Sequence, residues 1–491
     1  MVDPRHSESA QWADVWLGID VGTDIALSNA VAREIIEAGL ADQEFIDRAT
    51  TGYDDFVASV EDWTLERAEM VTGVPAEVIR ELAHTYANAK TAQLCWTLGV
   101  TEHHNATDNV LSLINLSLLT GHVGRYGSGL VPLRGQNNVQ GGGDMGTLPN
   151  KFPGFQDVED PEARHKFETR WKTTIPDKNG LHLTLQFEAM GRDELKGLYV
   201  IGENPAQSEA DTSHALELLS HLDFMVVQDI FLTKTAALAD VVFPSAADWC
   251  EAEGTMTSSE RRVQRTRKAL EPPGKARTDA NILSSLAEVM GSSWGMPTAE
   301  EIWDELRSLS PMHAGMSYAR LESEGGLQWP CPDEDHPGEL FLHSRLWDDV
   351  VSDPAPFSPV LDAPPVDELD DEFPLRMTTG RHLDSYNTGV QSEGFESPRR
   401  PGGALEISPE DAKRLDIVDQ DLVRVASRRG AIDVPAVLNV NLRPGLVFVT
   451  MHFPDDADVN QLTIEAWDPK SGTAEFKATA VSVQKLPATV R

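Results

Sequence analysis

Apolar residues recur at helical spacing in the first third of the chain. In "IALSNAVAREIIEAG" the positions Ile25, Leu27, Val31, Ile35 and Ile36 fall near one face, and Gly39 is a natural stop. Pro75 opens a second helix carrying Val78, Ile79, Leu82 and Tyr86 at the same period. "VLSLINLSLLT" (110–120), closed by Gly121, predicts a core helix. Between these, "DVWLGIDVGTD" predicts a strand running into a Gly-Thr-Asp turn, and "AQLCWTLGV" (92–100) predicts a buried strand. Strand and helix alternate again further on. "LKGLYVIGENP" predicts a strand ending in a polar turn, "SHALELLSHL" a helix, "FMVVQDIFLT" a strand ending at Asp229 and "LADVVFPSA" a third short strand. Such alternation indicates α/β layers with parallel sheets.

After Pro374 the period changes. "LVRVASRRGAIDVPAVL" and "GLVFVTMHF" alternate apolar with polar or run in β-branched residues, and are broken at Gly430 and at Pro444-Gly445. This predicts a β domain of barrel type. Residues 251–310 mix turns with helices such as Ala280–Met290, and the Pro- and Asp-rich stretch 350–374 predicts a linker. The resulting division is 1–134, a partial α/β unit; 135–250, a second α/β unit; 251–370, a mixed helical and irregular segment with the acidic linker; and 371–491, the β domain.

Composition narrows the function. Acidic residues outnumber basic ones 79 to 41, a formal charge of -38, which argues against nucleic acid as a partner because phosphate binding needs clustered Lys and Arg. The dispersed acid fits a strongly solvated surface and predicts a halophilic cytoplasm. No apolar run reaches the length of a membrane span. Cys95, Cys250 and Cys331 stand too far apart for a CxxC pair or an iron–sulfur set. The N-terminus lacks the basic and apolar regions of a signal peptide, and the chain reads as if it began in mid-fold.

One stretch fits neither core nor ordinary surface. "VPLRGQNNVQGGGDMG" (131–146) has a single Arg followed by amides and glycines. Arg134 offers a planar, permanently charged fork suited to a carboxylate or phosphate, and Gln136, Asn137, Asn138 and Gln140 supply a hydrogen-bonding neighbourhood. The strand ends "GENP" (202–205) and "VVQD", with Gly202, Asn204, Gln228 and Asp229, sit where open α/β sheets bind ligands. The plain alternatives are an Asn-Pro turn and an Asp that caps a helix. Asp24 in "GTD" is similarly either an N-cap or a ligand contact. The His pair of "TLGVTEHH" has no zinc spacing and reads as solvated or as supporting a site from behind. "TTGRHLDSYNTG" (378–389) is a loop able to cradle phosphate through backbone N–H groups.

Taken in order, "DPRHSESAQWAD", "GTDIALSNA", "LLTGHVGRYGSG", "RGQNNVQGGGDMG", "GENPAQSEAD", "VVQDIFLTKTA", "ADVVFPSA", "EAEGTMTSSERRVQ" and "ALEISPEDAKRLDI" resemble the catalytic alpha subunit of formate dehydrogenases of the bis-molybdopterin guanine dinucleotide superfamily. The resemblance covers nearly the whole chain. It implies two Rossmann-like α/β domains, the first incomplete, followed by a six-stranded C-terminal barrel. It implies bis-molybdopterin guanine dinucleotide carrying Mo or W, and oxidation of formate to carbon dioxide with electrons passed to an iron–sulfur chain. Arg134 would bind the formate carboxylate. Asp3, Pro4, Arg5, Gly22, Thr23 and Asp24 would line one guanosine site, with Leu98, Gly99, Glu102 and Gln136 near the pterins. Gly202, Glu203, Asn204, Gln228, Asp229 and Asp279 would serve the other nucleotide. Thr379, Gly380, Arg381, Ser385, Tyr386, Phe453, Asn460 and Lys477 would close over both pterins from the barrel domain.

The family's N-terminal [4Fe-4S] domain and its metal-binding cysteine or selenocysteine have no counterpart in these residues, so the reading expects a C-terminal portion, inactive in isolation. The missing segment, iron–sulfur or NAD-linked electron-transfer subunits and formate are the expected partners. The alternatives are another molybdopterin enzyme such as a nitrate reductase, or a non-catalytic scaffold homologue.

Overall fold

The computed structural model describes residues 1–383, 385–389 and 402–487. The chain forms two compact units that interleave along the sequence. Met1–Leu130, Pro205–Glu217 and His343–Arg491 make the first, and Val131–Asn204 with Leu218–Leu342 the second. The fold is mixed α/β with a closed six-stranded barrel in the C-terminal region. Among the described residues, no helix is long and apolar enough to cross a membrane.

In the first unit the helices Asp24–Glu37, Gln43–Ala49, Tyr53–Val60, Leu65–Thr72, Ala76–Asn88 and Ala106–Leu119 enclose a core of Leu27, Val31, Ile35, Phe45, Phe56, Ile79 and Leu119. The helix boundaries follow local chemistry. Asp42 and Thr64 accept hydrogen bonds from Phe45 N and Arg67 N at two N-termini, and Gly73 takes the left-handed conformation that ends the Leu65–Thr72 helix.

Two expected strands differ from the structure. "DVWLGIDVGTD" forms a single bridge, Val2 to Leu17, rather than a strand. Leu17 and Ile19 are buried as expected, but the backbone is satisfied elsewhere: Asp20 N donates to Thr72 O, and Arg443 Nη1 to Gly18 O. Gln93–Trp96 is a strand, but an alternately exposed one, and Cys95 is exposed rather than buried. Apolar content was read there as burial, yet the strand belongs to a sheet of only two strands, too small to bury both its faces.

The barrel joins Leu375–Gly380, Leu446–Thr450, Leu405–Ile407, Ala431–Leu438, Leu422–Ala426 and Thr479–Lys485 in that spatial order. The alternation read in the sequence sets which side faces in. Val423 and Val425 are fully buried while Arg424, between them, reaches Asp433 on the neighbouring strand. Leu375, Met377, Ile407, Val434, Val447 and Val481 complete the interior. The acidic segment before the barrel is tied down. Asp367, 3% exposed, receives Arg428 and Arg429 and the backbone N–H of Ala480, and Pro365 covers Gly22.

In the second unit the three predicted strands form a parallel sheet, Gly197–Ile201, Phe224–Asp229 and Val241–Pro244. An antiparallel sheet of Gly254–Thr257, Arg262–Thr266 and Leu327–Gln328 packs with the helices Ala299–Leu309 and Tyr318–Ser323 around Val263, Trp303, Met316 and Leu321.

Candidate functional site

The polar residues of the parallel sheet gather at the carboxyl ends of its strands. Gln228, fully buried, accepts from Tyr199 OH at 2.5 Å and donates through Nε2 to Asp279 Oδ1 at 2.5 Å. Asp279 also receives Ser245 Oγ. Gly202 N donates to Gln228 O at 2.9 Å, tying the first strand end to the second. Gly202 has φ +64°, and nothing lies within 4 Å of where a Cβ would stand. The open space there lets a ligand approach the backbone. Asn204 Oδ1 accepts from Thr235 N and Oγ1, and Asp229 Oδ1 from Phe231 N. Both therefore brace the turns as well as facing this end of the sheet. Burial pushes the carboxyls of Glu203, Asp229 and Asp248 up, Asp248 to about 6 with the charge of Asp279 adding to it. One oxygen of Asp248 is buried without a hydrogen-bond partner. That Asp248 oxygen suits a donor on the edge of a heterocycle.

In the first unit the predicted residues form two groups. Arg5 stacks its guanidinium 3.6 Å from the centroid of Phe448, and that side chain lies beside Gly380. Asp3 Oδ1 accepts Arg5 N, and burial raises the Asp3 carboxyl. Pro4 lies between them in sequence, while Gly22, at φ +82°, leaves no room for a Cβ, which would stand 2.7 Å from Pro365. Thr23 Oγ1 donates to Asp20 O, and Asp24 begins the following helix without capping it; burial raises its carboxyl.

The second group surrounds Lys477. Its ammonium lies 2.8 Å from Glu102 and donates to Thr379 O at 3.1 Å. Beside it Glu475, 1% exposed, accepts His104 N, Lys477 N and Ala478 N and pairs with His103 Nδ1 at 3.3 Å. His103 is buried rather than solvated, which of the two alternatives leaves the supporting one, and its carboxylate partner comes from 372 residues away. Leu98 and Gly99 precede this turn, and the space beside Gly99 Cα is open. Asn460 donates to Gln207 O and Ser208 O, while its own Oδ1 is buried without a partner. Arg381, Ser385 and Tyr386 occupy the loop after Leu375–Gly380, and His452 Nε2, next to Phe453, accepts His382 N from that loop. Asp384 of this motif lies outside the described residues.

Arg134 belongs to the second unit. It is an exposed residue, and its guanidinium donates from Nε and Nη2 to the one oxygen Oε1 of Gln140, at 3.2 and 2.9 Å. Gln136 lies in the same loop. The amide-rich run is largely spent on its own architecture. Asn138, at φ +64°, accepts Thr257 N, and a Cβ at Gly141 would collide with that Asn138 side chain. Val139–Asp144 is a one-turn helix placing Gln140 beside Asp144. The sequence reading did not single out Asp144, Trp329 or Glu475. Asp144 and Gln140 share helical spacing, which was legible; Trp329 and Glu475 meet their partners only through the fold.

In the second unit the open space at Gly202 and the linked Gln228 and Asp279 suit a polar heterocycle, and in the first unit Arg5 and Lys477 supply cationic groups suited to an anionic ligand. Comparison with known proteins agrees. Residues 1–289 match the molybdopterin oxidoreductase family and residues 375–480 the molydopterin dinucleotide binding domain. The chain is 43% identical over 490 residues to the F420-dependent formate dehydrogenase 2 subunit alpha of Methanococcus maripaludis, covering 99% of this chain and 71% of that protein. It is 38% identical to formate dehydrogenase H of Escherichia coli, covering 99% of this chain and 68% of that one. In fold it is similar to acetylene hydratase from Pelobacter acetylenicus, with a TM-score of 0.73 at 19% identity, over 99% of this chain and 73% of that one. The chain therefore belongs to the molybdopterin oxidoreductase family, with formate dehydrogenase alpha subunits among its relatives.

Proposed function

We propose that this protein oxidises formate to carbon dioxide, with Arg134 as the residue that grips the substrate. The observation that carries this reading is the state of the Arg134 guanidinium. Its Nε–Nη2 edge is occupied by Gln140, while among the described residues Nη1 has no hydrogen-bond acceptor. That leaves the Nη1–Nη2 edge to meet both oxygens of a small carboxylate. The two relatives named formate dehydrogenase support the choice of formate.

The chain's residues divide the remaining work. Gly202, Glu203, Asn204, Gln228, Asp229 and Asp279 would hold one molybdopterin guanine dinucleotide. Asp3, Pro4, Arg5, Gly22, Thr23 and Asp24 would hold the other. Leu98, Gly99, Glu102 and Gln136, with Thr379, Gly380, Arg381, Ser385, Tyr386, Phe453, Asn460 and Lys477, would contact the pterins. A molybdenum or tungsten ion carried by the bound dinucleotides would supply the two-electron acceptor. Arg134 fixes the carboxylate so that the C–H bond has one orientation, converting a collision into a positioned reaction. Loss of two electrons and a proton from formate leaves carbon dioxide, and the electrons pass to an iron–sulfur chain and partner subunits in the cytoplasm.

Steady-state assay of the cofactor-loaded chain, assembled with its iron–sulfur partners and supplied with an artificial redox dye, tests this. Formate-dependent dye reduction is expected. Nitrate-dependent dye oxidation without formate activity would overturn it in favour of a nitrate reductase.

A further inference from the structure

Arg134 is the first member of a hydrogen-bonded series that ends in the interior. Gln140 Oε1 accepts both Arg134 bonds, so its Nε2 must point the other way, and it donates to Asp144 Oδ1 at 2.8 Å. Asp144, fully buried, uses its second oxygen Oδ2 to accept Trp329 Nε1–H at 2.8 Å. Each group has one arrangement that satisfies all of them. Trp329 can only donate, a carboxylate can only accept, and this forces the Gln140 amide to present its oxygen to Arg134.

The geometry points to Gln140 and Asp144, anchored by Trp329, as positioning residues that set the Arg134 fork for a one-carbon carboxylate; this rests on the formate reading above. A neutral amide is suited to the task. It holds the Nε–Nη2 edge in place without cancelling the guanidinium charge, so the other edge keeps its full attraction for an anion. A carboxylate in the same place would bind Arg134 more tightly and compete with substrate. The buried charge of Asp144 is kept one residue back, where it orients the amide instead of facing the anion. The local backbone is built to hold this. Asn138 pins the loop to Thr257, and Gly154 N donates to Asp144 O at 2.7 Å.

The test uses the cofactor-loaded chain assembled with its iron–sulfur partners, its tryptophan indoles labelled with 15N, with sodium formate as ligand. Two variants, Gln140→Met and Gln140→Glu, are compared with wild type and with Arg134→Lys. Gln140→Met removes all three side-chain hydrogen bonds of this residue at nearly constant volume, and formate KM should rise at least about tenfold, the value of one charge-assisted hydrogen bond. Gln140→Glu is the sharper variant. If Gln140 were only a tether, a carboxylate would tighten it and leave KM unchanged; as a positioning residue that must stay neutral, its replacement should raise KM at least as much as methionine does. In wild type, saturating formate should shift the Trp329 indole resonance, identified by its absence in Trp329→Phe. That spectrum and the glutamate variant still decide the matter if the methionine variant does not fold. Wild-type KM in Gln140→Glu, or a Trp329 signal unmoved by formate, would overturn the relay. An Arg134→Lys protein with unchanged KM would instead remove the formate reading itself.

Discussion

Lys477 Nζ lies 2.8 Å from a carboxylate oxygen of Glu102, a residue 375 positions earlier, and donates at 3.1 Å to the carbonyl of Thr379 on the first barrel strand. Both side chains are largely removed from water, at 11% and 14% exposure. One cation thus fastens the turn after Leu98 to the barrel. Replacing Lys477 by Met leaves a buried carboxylate uncompensated and should cost about 3 kcal/mol. The pair Lys477→Met with Glu102→Gln should recover part of that loss. Urea unfolding of the four proteins in a double-mutant cycle checks it; additive losses would mean the pair is not coupled.

Glu475 and His103 give stability a defined pH window. Burial is the largest single influence and works against both charged forms, but the charge of His103 together with the hydrogen bonds from His103 and His104 overcomes it and holds Glu475 well below the ordinary carboxylate range, while the charge and hydrogen bond of Glu475, with Asp24, raise His103 above the usual imidazole value. A depressed carboxyl contributes stability that is present above its unfolded pKa of ~4.3 and is lost as pH falls through its folded pKa. A raised imidazole contributes stability present below its unfolded pKa of ~6.5 and lost as pH rises through its folded pKa. The pair should therefore stabilise most strongly between about pH 4.5 and 6.5. Denaturation across pH should show this hump in wild type and lose it in Glu475→Gln.

Asp367 is the centre of a second buried cluster. It receives Arg428 Nη1 and Arg429 Nη2 at 2.5 Å each and Ala480 N at 2.8 Å. Asp367→Ala leaves Arg429, 13% exposed, with no carboxylate among the described residues and removes the buried one of two from Arg428, and it should destabilise by about 3 kcal/mol. Substituting Asp370, which is exposed and meets only Arg428 of the two, should cost under about 1 kcal/mol. Equal losses from the two substitutions would show that burial does not set the difference.

Arg134→Lys keeps the charge but loses the planar fork and both bonds to Gln140. Formate KM should rise and kcat fall, because a single ammonium cannot fix the carboxylate plane. We expect kcat/KM to drop by about a hundredfold, the worth of two charge-assisted hydrogen bonds. Unpaired effects on thermal stability should be small, since the side chain is exposed.

The barrel and the parallel sheet were legible in the chain because their signals are local. Val423 and Val425 alternate with Arg424 and face inward as period two requires, and the three strands ending at Ile201, Asp229 and Pro244 are short apolar runs closed by polar turns. The failures were local too. Leu17 and Ile19 carry a strand's composition, but the intervening Gly18 and the following Asp20 find backbone partners in Arg443 and Thr72, which no window around them contains.

For the site, residue types alone marked Arg134 as an anion grip and Gly202 and Asp229 as strand-end contacts, since a guanidinium fork, a missing Cβ and a carboxylate each carry their chemistry wherever they stand. The fold alone decided which of these groups are held and which are spent. Trp329 reaches Asp144 across 185 residues, Glu475 reaches His103 across 372, and Asp367 reaches two arginines across 61 and 62. Hydrogen bonds and ion pairs depend on distance in space. A sequence fixes what each side chain can donate or accept, and only packing brings a donor within 3 Å of its acceptor and takes both out of water.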